Sequence, residues 1–168
     1  MEKLLLDDFT NYKFLSDIQF SPNGKNCGFV LHQMDLEENK YLSNIYVLNE
    51  KGQSLKLTSL NGERSFIWKN DDTIIFPANR DSKDEMRKEK GEHFTNLYEI
   101  NINGGEASHL MEIPLDISRI EILDENTFLL TAVYNPNLSG FDNLSDTDKE
   151  KKLKELKENE AYEILDEI

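Results

Sequence analysis

Cysteine is almost absent from this chain, since Cys27 is the only one in 168 residues. One thiol cannot form a disulfide within the chain, which suits a reducing compartment. Cys27 lies in an apolar strand pattern, so we interpret it as a small core residue rather than a nucleophile. Long hydrophobic runs are also missing: Leu4, Leu5 and Leu6 are followed at once by acidic residues. Such a run is too short for a signal peptide or a membrane span, and it predicts a cytoplasmic protein without a membrane partner.

Basic residues are outnumbered, with 19 Lys and Arg against 33 Asp and Glu, which gives a net charge of -14. This acidic excess repels phosphate backbones, so we expect no nucleic-acid partner. Hydrophobic residues make up 38% and charged residues 31% of the chain, which is polar for a globular domain without indicating bulk disorder. A compact domain of this length buries about 70% of the surface of its unfolded chain.

Motifs that carry chemistry are missing as well. No serine has glycine at both flanking positions, and His32, His93 and His109 lie in unrelated contexts, so we assign no catalytic residue. No Cys/His set has zinc spacing and no glycine-rich phosphate loop is present, so we predict no metal and no cofactor. The acidic stretches at 71–72 and 124–126 lack the spacing of a calcium loop, and we interpret them as hairpin turns.

What the sequence does contain is a repeat. Residues 43–49 read Ser-Asn-Ile-Tyr-Val-Leu-Asn, and 52 positions later Thr95–Asn101 reads Thr-Asn-Leu-Tyr-Glu-Ile-Asn. A glycine turn follows each copy, at 51–52 and at 103–105. A period near fifty in strand-rich units is typical of β-propellers. We expect Asn44 and Asn96, which recur in the motif, to bond to turns or neighbouring strands. The recurring Tyr46 and Tyr98, together with Trp68, could form a binding surface, but packing explains them better.

Strand patterns divide the chain into units. A lead-in spans residues 1–15, for which a short helix or a docking strand both fit. The blades span 16–60, 61–112 and an incomplete 113–134, with a Ser-Pro-Asn-Gly turn at 21–24 in the first. We predict an all-β fold: a partial β-propeller of about two and a half four-stranded antiparallel blades.

Two connections between strands stand out by their polarity. In the first unit, residues 26–31 and 44–48 read as strands, and we predict a polar connection at 32–42 between them. In the second unit, residues 79–94 carry five basic and five acidic residues without interleaved aromatic residues. This mixture predicts a solvated loop rather than a nucleic-acid patch.

The last segment, 135–168, is a charged insertion. Ser145 and Asp148 resemble a capping box ahead of a helix over Asp146–Asn159. Only Leu153 and Leu156 are apolar inside that helix, which predicts a surface insertion. Residues 161–168 regain a strand-like pattern and then stop, while the third unit lacks its third and fourth strands. This pattern is typical of a fragment of a longer protein, and its open strand edges predict self-association.

Residues 16–25, Ser-Asp-Ile-Gln-Phe-Ser-Pro-Asn-Gly-Lys, resemble the SD-x-x-x-SPDGK opening of the propeller in prolyl oligopeptidase-family serine peptidases. The continuation through 34–41 and 43–47 fits the same family, within its acylaminoacyl peptidase and dipeptidyl aminopeptidase branch. Residues 162–168 resemble a segment that this branch carries inside its propeller. The resemblance extends from about residue 13 to the last residue.

The resemblance implies a function for a larger protein. In that family a propeller precedes a C-terminal α/β-hydrolase domain with a Ser-Asp-His triad, and the propeller restricts access of peptide substrates. None of the triad positions has a counterpart here, so the chain alone should be inactive. Some relatives hold the substrate N-terminus with two propeller glutamates, but Glu37 and Glu38 lie in a charged loop and match no such motif. Similar strands also occur in TolB-type propellers, so a protein-interaction module without catalysis is the alternative.

Overall fold

A computed structural model describes residues 10–124, 127–134 and 144–159. Most of the predicted lead-in and the strand-like segment at 161–168 lie outside these ranges. The strands and helices, in chain order, are β1 Lys13–Phe20, β2 Cys27–Asp35, β3 Lys40–Leu48, β4 Ser54–Lys56, β5 Ile67–Trp68, β6 Thr73–Pro77, α1 Ser82–Glu89, β7 Thr95–Asn101, β8 Ser108–Ile113, β9 Asp116–Asp124, β10 Thr127–Val133 and α2 Asp146–Asn159.

The strands form three antiparallel sheets in strict chain order. The first sheet is β1-β2-β3-β4, the second is β5-β6-β7-β8, and the third consists of β9 and β10 among the described residues. Successive four-stranded meanders of this kind are propeller blades. The predicted all-β class, with two complete four-stranded sheets and a partial third, is confirmed.

The hairpin between β2 and β3 is longer than the sequence predicted. Both strands continue through the expected polar connection, and only residues 36–39 form the turn. Phe14 stacks on His32 with ring centroids 4.7 Å apart and meets Tyr41 edge-on at 5.8 Å. These aromatic contacts between β1, β2 and β3 extend the sheet through residues whose polarity predicts a connection. Polar side chains are tolerated there because they lie on the open face of the sheet.

The connection at 79–94 contains helix α1, so the prediction of a plain loop was wrong. Asp81 begins the helix, since its side chain accepts a hydrogen bond of 2.9 Å from the Lys83 backbone N–H. Acidic residues occupy the first turn and basic residues the last, which suits the helix dipole. The mixed charges that indicated a loop are thus arranged by sign along a short helix.

The main core lies between the first two sheets. Phe66 is 2% exposed and packs against the backbone of Gly28, where a Cβ would lie 2.5 Å from its ring. The Phe66 ring therefore occupies the space that a side chain at position 28 of the first sheet would fill. The core residues come from both sheets: Val30, Ile45, Val47, Phe66, Ile74, Phe76, Ile100 and Ile102.

Two predicted local structures are present. In the 21–24 turn, Gly24 takes the left-handed conformation at φ 72, and the Ser21 hydroxyl accepts a 3.0 Å hydrogen bond from the Asn26 N–H. At α2, the Ser145 hydroxyl accepts a hydrogen bond of 3.3 Å from the Asp148 N–H. The predicted turn and helix start are therefore confirmed.

Helix α2 makes a specific contact with the end of α1. A Cβ built on Gly91 would lie 2.7 Å from Cδ2 of Leu153, so this leucine packs on bare backbone. Gly91 also has a φ of 85, which favours glycine. Leu153, one of the two apolar residues inside α2, therefore holds this helix against the end of α1.

Candidate functional site

A groove lies where the first strands of the three sheets lie side by side. Its volume is about 760 Å³, and β5 lies between β1 and β9 along it. We call it the central groove. It is lined by Asp17, Gln19, Phe20, Pro22, Ser65, Phe66, Ile67, Trp68, Ile75, Pro77 and the run from Ile117 to Ile122.

On the β1 side, the groove is built on a bulge. The register of β1 shifts between Ser16 and Gln19, and Asp17 adopts a positive φ of 50. Its carboxylate accepts hydrogen bonds of 2.9 Å from the Phe66 N–H and 2.7 Å from the Gln19 amide. Asp17 therefore helps to join the first sheet to the second, a role that the motif alone did not reveal.

Further hydrogen bonds connect the same two sheets. The Gln19 amide donates to the Phe66 carbonyl oxygen at 2.8 Å, and the Trp68 indole N–H donates to the Gln19 carbonyl oxygen at 3.3 Å. The Asn23 N–H donates to the Asp71 carboxylate at 2.9 Å. We call these hydrogen bonds, together with that of Asp17 to Phe66 and the contact of Gly28 with Phe66, the first seam.

The contact between the second and third sheets is smaller and more polar. The Thr95 hydroxyl donates to the Leu115 carbonyl oxygen at 2.8 Å and accepts from the Ile117 N–H at 3.1 Å. His93 Nδ1 pairs with the Asp116 carboxylate, and both side chains are about half exposed. We call these contacts the second seam.

On the β9 side, six consecutive residues from Ile117 to Ile122 line the groove. Successive side chains of a strand point to opposite faces, so a continuous run means that the groove follows the strand edge. Within the described residues β9 forms a ladder with β10 alone, which leaves its other edge toward the groove. Arg119 and Glu121 form an exposed ion pair of 2.6 Å there.

The central groove combines apolar side chains with an open strand edge. Among the described residues, no histidine or cysteine lines it. Its polar groups are mostly engaged in hydrogen bonds or the Arg119–Glu121 pair, and one of its serines, Ser118, donates to the Thr131 carbonyl oxygen at 3.2 Å. Apolar side chains and a strand edge can hold an extended chain, but they cannot activate a nucleophile.

The three histidines lie in separate places. His32 bonds to the Ser16 hydroxyl at 2.6 Å and His109 bonds to the Asn96 side-chain oxygen at 3.0 Å, while His93 belongs to the second seam. No described carboxylate hydrogen-bonds to His32. The Ser16–His32 pair thus lacks the acid that would orient a catalytic histidine.

The repeated asparagines bond as predicted, each to its own connection. Asn44 donates to the Asn61 side-chain oxygen at 3.0 Å and accepts from the Asn61 N–H at 3.3 Å. Asn96 donates to the carboxylate of Asp84, which is 8% exposed, at 2.9 Å. The same motif position therefore fixes a loop in the first sheet and helix α1 in the second.

The repeated tyrosines pack rather than bind. Tyr46 stacks on Phe29 with centroids 5.7 Å apart, and Tyr98 lies 6.2 Å from Phe76. Burial raises the pKa of Tyr98, and the nearby Asp84 carboxylate adds to the increase. Of the three aromatic residues considered for a binding surface, only Trp68 lines the groove.

Arg87 fixes helix α1 to strand β8. Its guanidinium makes two hydrogen bonds to the Glu112 carboxylate, at 2.7 and 3.0 Å, and one to Glu92 at 2.8 Å. It also lies 3.9 Å above the ring of Phe94. The bonds to Glu112 and Glu92 raise the pKa of Arg87, and the Arg87 bond lowers the pKa of Glu112. Part of the charge of the connection is therefore paired.

Other classes of site find no support in the described ranges. No group of three or more His, Cys, Asp or Glu side chains there is arranged to hold a metal ion. Neither described helix is long and apolar enough to cross a membrane. Glu37 and Glu38 lie in the β2–β3 turn, where both backbone N–H groups donate to the Asp35 carboxylate.

Comparison with known proteins finds similarity to a curated peptidase. No model of a known protein family matches it. The uncharacterized peptidase YuxL of Bacillus subtilis (strain 168) is 30% identical over 125 residues, which are 71% of this chain and 17% of that protein. This chain therefore spans 17% of the length of its curated relative.

Solved structures show the same fold. The β-propeller domain of the Trilobed protease from Pyrococcus furiosus matches with a TM-score of 0.52 and 18% identity, covering 73% of this chain and 34% of that one. The acylaminoacyl peptidase of Pyrococcus horikoshii matches with a TM-score of 0.50 and 22% identity, covering 68% of this chain and 16% of that one. The architecture is thus that of a propeller.

The chain is a partial β-propeller. The resemblance carried by residues 16–25 agrees with these matches, since the curated relative is a peptidase and one similar solved structure is the propeller domain of a protease.

Proposed function

We propose that this chain is the N-terminal propeller part of a serine peptidase of the prolyl oligopeptidase family. In the whole protein a C-terminal α/β-hydrolase domain carries the Ser-Asp-His triad. That domain releases acylated amino acids or short N-terminal peptides by acyl transfer to serine. The propeller restricts which substrates reach it. The similarity to a much longer peptidase, of which the match covers 17%, supports this division of roles.

The central groove carries the proposal. Its walls come from the first strands of three sheets, and the first seam holds two of those walls rigidly through Asp17 and Phe66. A rigid passage that lacks catalytic residues selects by size and shape. An extended peptide fits beside the β9 edge, whereas a folded protein is too wide for a groove of about 760 Å³.

The downstream reading frame gives the first test. A Gly-x-Ser-x-Gly elbow followed by Asp and His supports the peptidase. Further blades and then a stop would support an interaction module of the TolB type instead. The isolated chain should show no turnover of chromogenic acyl-aminoacyl substrates, and turnover that persists through purification would overturn the proposed division of roles.

The second test addresses access in the full-length protein. Asp17→Ala removes an acceptor of the first seam, so we expect kcat/KM to rise for long peptides relative to short acyl-aminoacyl substrates. Glu50→Ala, in the exposed β3–β4 turn, is the matched control and should leave the ratio unchanged. An Asp17→Ala enzyme with an unchanged ratio would argue against a gate at the groove.

A further inference from the structure

The first sheet has a second apolar face, which points away from the second sheet. Successive side chains of a strand alternate between the two faces of a sheet. Val30 and its partner Ile45 point into the main core, so Phe29 and its partner Tyr46 point the opposite way, where their rings stack. We call this surface the head face. Its apolar residues are Leu15, Ile18, Cys27, Phe29, Tyr46 and Leu48.

The head face is open to solvent. Ile18, Leu15 and Leu48 are 59%, 50% and 38% exposed. On the other face of the same sheet, Val30 and Ile45 are fully buried. A group of exposed apolar side chains on one sheet face is typical of an interaction surface. The first sheet therefore carries two apolar faces, and the described residues cover only one of them.

The first two sheets match position by position. Gly28 and Ile75 are equivalent, since each lies opposite the residue that follows the tyrosine of the repeated motif. In the first strands, Gln19 lies opposite Gly28 and Ile67 lies opposite Ile75, so these two partners are equivalent as well. The register of the second sheet therefore shows how each face of the first sheet is used.

Ile18 of the head face holds the position that Phe66 has in the second sheet, because each precedes its first-strand partner by one residue. Phe66 is the ring that packs on the backbone of Gly28 in the first seam. The head face is thus the counterpart of the surface through which the second sheet packs on the first. We expect it to pack on a surface of the same kind as the one that carries Gly28.

The third sheet carries an exposed face at the other end of the chain. Phe128 and Leu130 of β10 are partly buried. Leu129 and Val133 are 53% and 74% exposed, and the alternation of side chains places them on the opposite face of the sheet. We call the surface formed by Leu129 and Val133 the tail face. The chain therefore has an unpartnered apolar surface on its first sheet and another on its third.

The tail face is of the kind that the head face requires. The pair Glu121–Leu129 in the β9–β10 hairpin spans as many residues as the pair Ile67–Ile75 in the β5–β6 hairpin. Leu129 is therefore equivalent to Ile75, and through it to Gly28. Leu129 thus occupies the place on which the second sheet packs in the first seam.

We propose that the head face of one copy of this chain packs on the tail face of a second copy, and that the second copy returns the same contact. Ile18 of each copy lies over Leu129 of the other, as Phe66 lies over Gly28 in the first seam. A head-to-tail contact closes into a ring if the rotation between the copies allows it. Each copy contributes three sheets, so the total falls within the range of about four to eight blades in propellers. This inference concerns the 168-residue chain and does not depend on the peptidase function.

Sedimentation equilibrium of the 168-residue chain gives the first test. We expect a monomer of 19.5 kDa in equilibrium with a dimer, whose share grows with concentration. Growth should stop at two copies, because the reciprocal contact leaves no head or tail face open. A monomer at every concentration would overturn the proposal, and so would a series of larger oligomers.

The salt dependence tests the apolar nature of the contact. Each copy has a net charge of -14, so the two copies repel each other and the apolar faces must supply the attraction. Raising the salt concentration from about 50 to about 500 mM screens this repulsion and should lower the Kd of the dimer. A Kd that rises with salt would mean an association driven by opposite charges and would overturn the proposal.

Single substitutions test the two faces. Ile18→Asp and Leu129→Asp each place a carboxylate in an apolar contact, so each should raise the Kd of the dimer at least about tenfold. Leu36→Asp is the matched control, because Leu36 is exposed in the β2–β3 turn and belongs to neither face. An equal increase for Leu36→Asp would mean that added charge alone weakens the dimer and would overturn the assignment. Far-UV circular dichroism verifies that each variant is folded.

Mixing the two variants tests the head-to-tail arrangement itself. The Ile18→Asp chain keeps an intact tail face and the Leu129→Asp chain keeps an intact head face, so a mixture can form one unaltered contact. We expect mixed dimers at concentrations where neither variant dimerises alone. Loss of dimer with Ile18→Asp but not with Leu129→Asp, and no rescue on mixing, would overturn the proposal in favour of a head-to-head dimer. Dimers that both variants leave intact would overturn it in favour of pairing through strand edges.

Discussion

The two seams join neighbouring sheets by different means. The first seam combines a phenylalanine packed on glycine backbone, a buried core and a carboxylate that accepts a backbone N–H. The second seam rests on one threonine hydroxyl and a half-exposed His93–Asp116 pair. Buried apolar area contributes far more free energy than exposed polar pairs do. Two junctions that look equivalent in a repeat can therefore differ greatly in strength.

Phe66→Ala should have the largest effect on this contrast. The substitution removes a buried ring that contacts Gly28 and leaves a cavity in the core, so we expect a loss of about 3–5 kcal/mol in the free energy of unfolding. Urea unfolding followed by far-UV circular dichroism measures it. Phe20→Ala is the comparison, because Phe20 is largely exposed. A similar small loss for both variants would mean that the first seam is not the stronger junction.

Asp17→Ala should cost less, about 1–3 kcal/mol, because the Phe66 N–H loses its acceptor and the positive φ no longer suits the residue. Asp17→Asn keeps an acceptor and tolerates that conformation, so it should recover a large part of the loss. Equilibrium unfolding of both variants separates the effect of the negative charge from the combined effect of the acceptor and the backbone conformation. An asparagine variant as unstable as the alanine variant would show that the negative charge itself is required.

Thr95→Val should weaken the second seam by about 1 kcal/mol, since the hydroxyl bonds to Leu115 and Ile117 are lost at nearly constant shape. We expect faster hydrogen exchange in β9 and β10 and little change in the first sheet. The matched variant is Ser43→Ala at the same repeat position. The buried Ser43 hydroxyl has no hydrogen-bond partner among the described residues, so its loss should change stability little. Equal effects at both positions would contradict the assigned role of Thr95.

Glu112→Gln should have the smallest effect and should depend on pH. Because the Arg87 bond lowers the pKa of the Glu112 carboxyl, the pair stabilises the fold above the carboxyl's ordinary pKa of about 4.3. This stabilisation is lost as the pH falls through the lower pKa of the folded state. Both side chains are more than a third exposed, so the difference from the wild type should stay under about 1 kcal/mol. A difference that grows on acidification would have the wrong sign.

Residue patterns predicted the parts of the fold that local rules control. The period of the motif placed β3 and β7, glycine at 24 gave the turn, and Ser145 gave the start of α2. These features depend on neighbours within a few positions along the chain. The packing of Tyr46 and Tyr98 also followed from their recurrence at the same position.

Features set by distant partners were not predictable in the same way. The sequence of helix α1 predicts a loop because a contact that fixes the helix is distant. The glutamate that binds Arg87 lies 25 positions away, on β8. The sequence shows Asp17 only as part of a motif. Its role in joining two sheets is not predictable, because its partner Phe66 is 49 positions away. The central groove needs three sheets to form. Its one local signal is the isoleucine-rich run at 117–122, which predicts a strand and no more.

The contact of Phe66 with Gly28 has a consequence for how the chain folds. In repeat architectures each unit is stabilised mainly by the interface with its neighbour. An interface that inserts a ring from one unit into the backbone surface of the other couples them, so the first two sheets should melt in a single cooperative transition. No such interlock joins the third sheet to the second among the described residues, so the third sheet should open on its own as a separate foldon under native conditions.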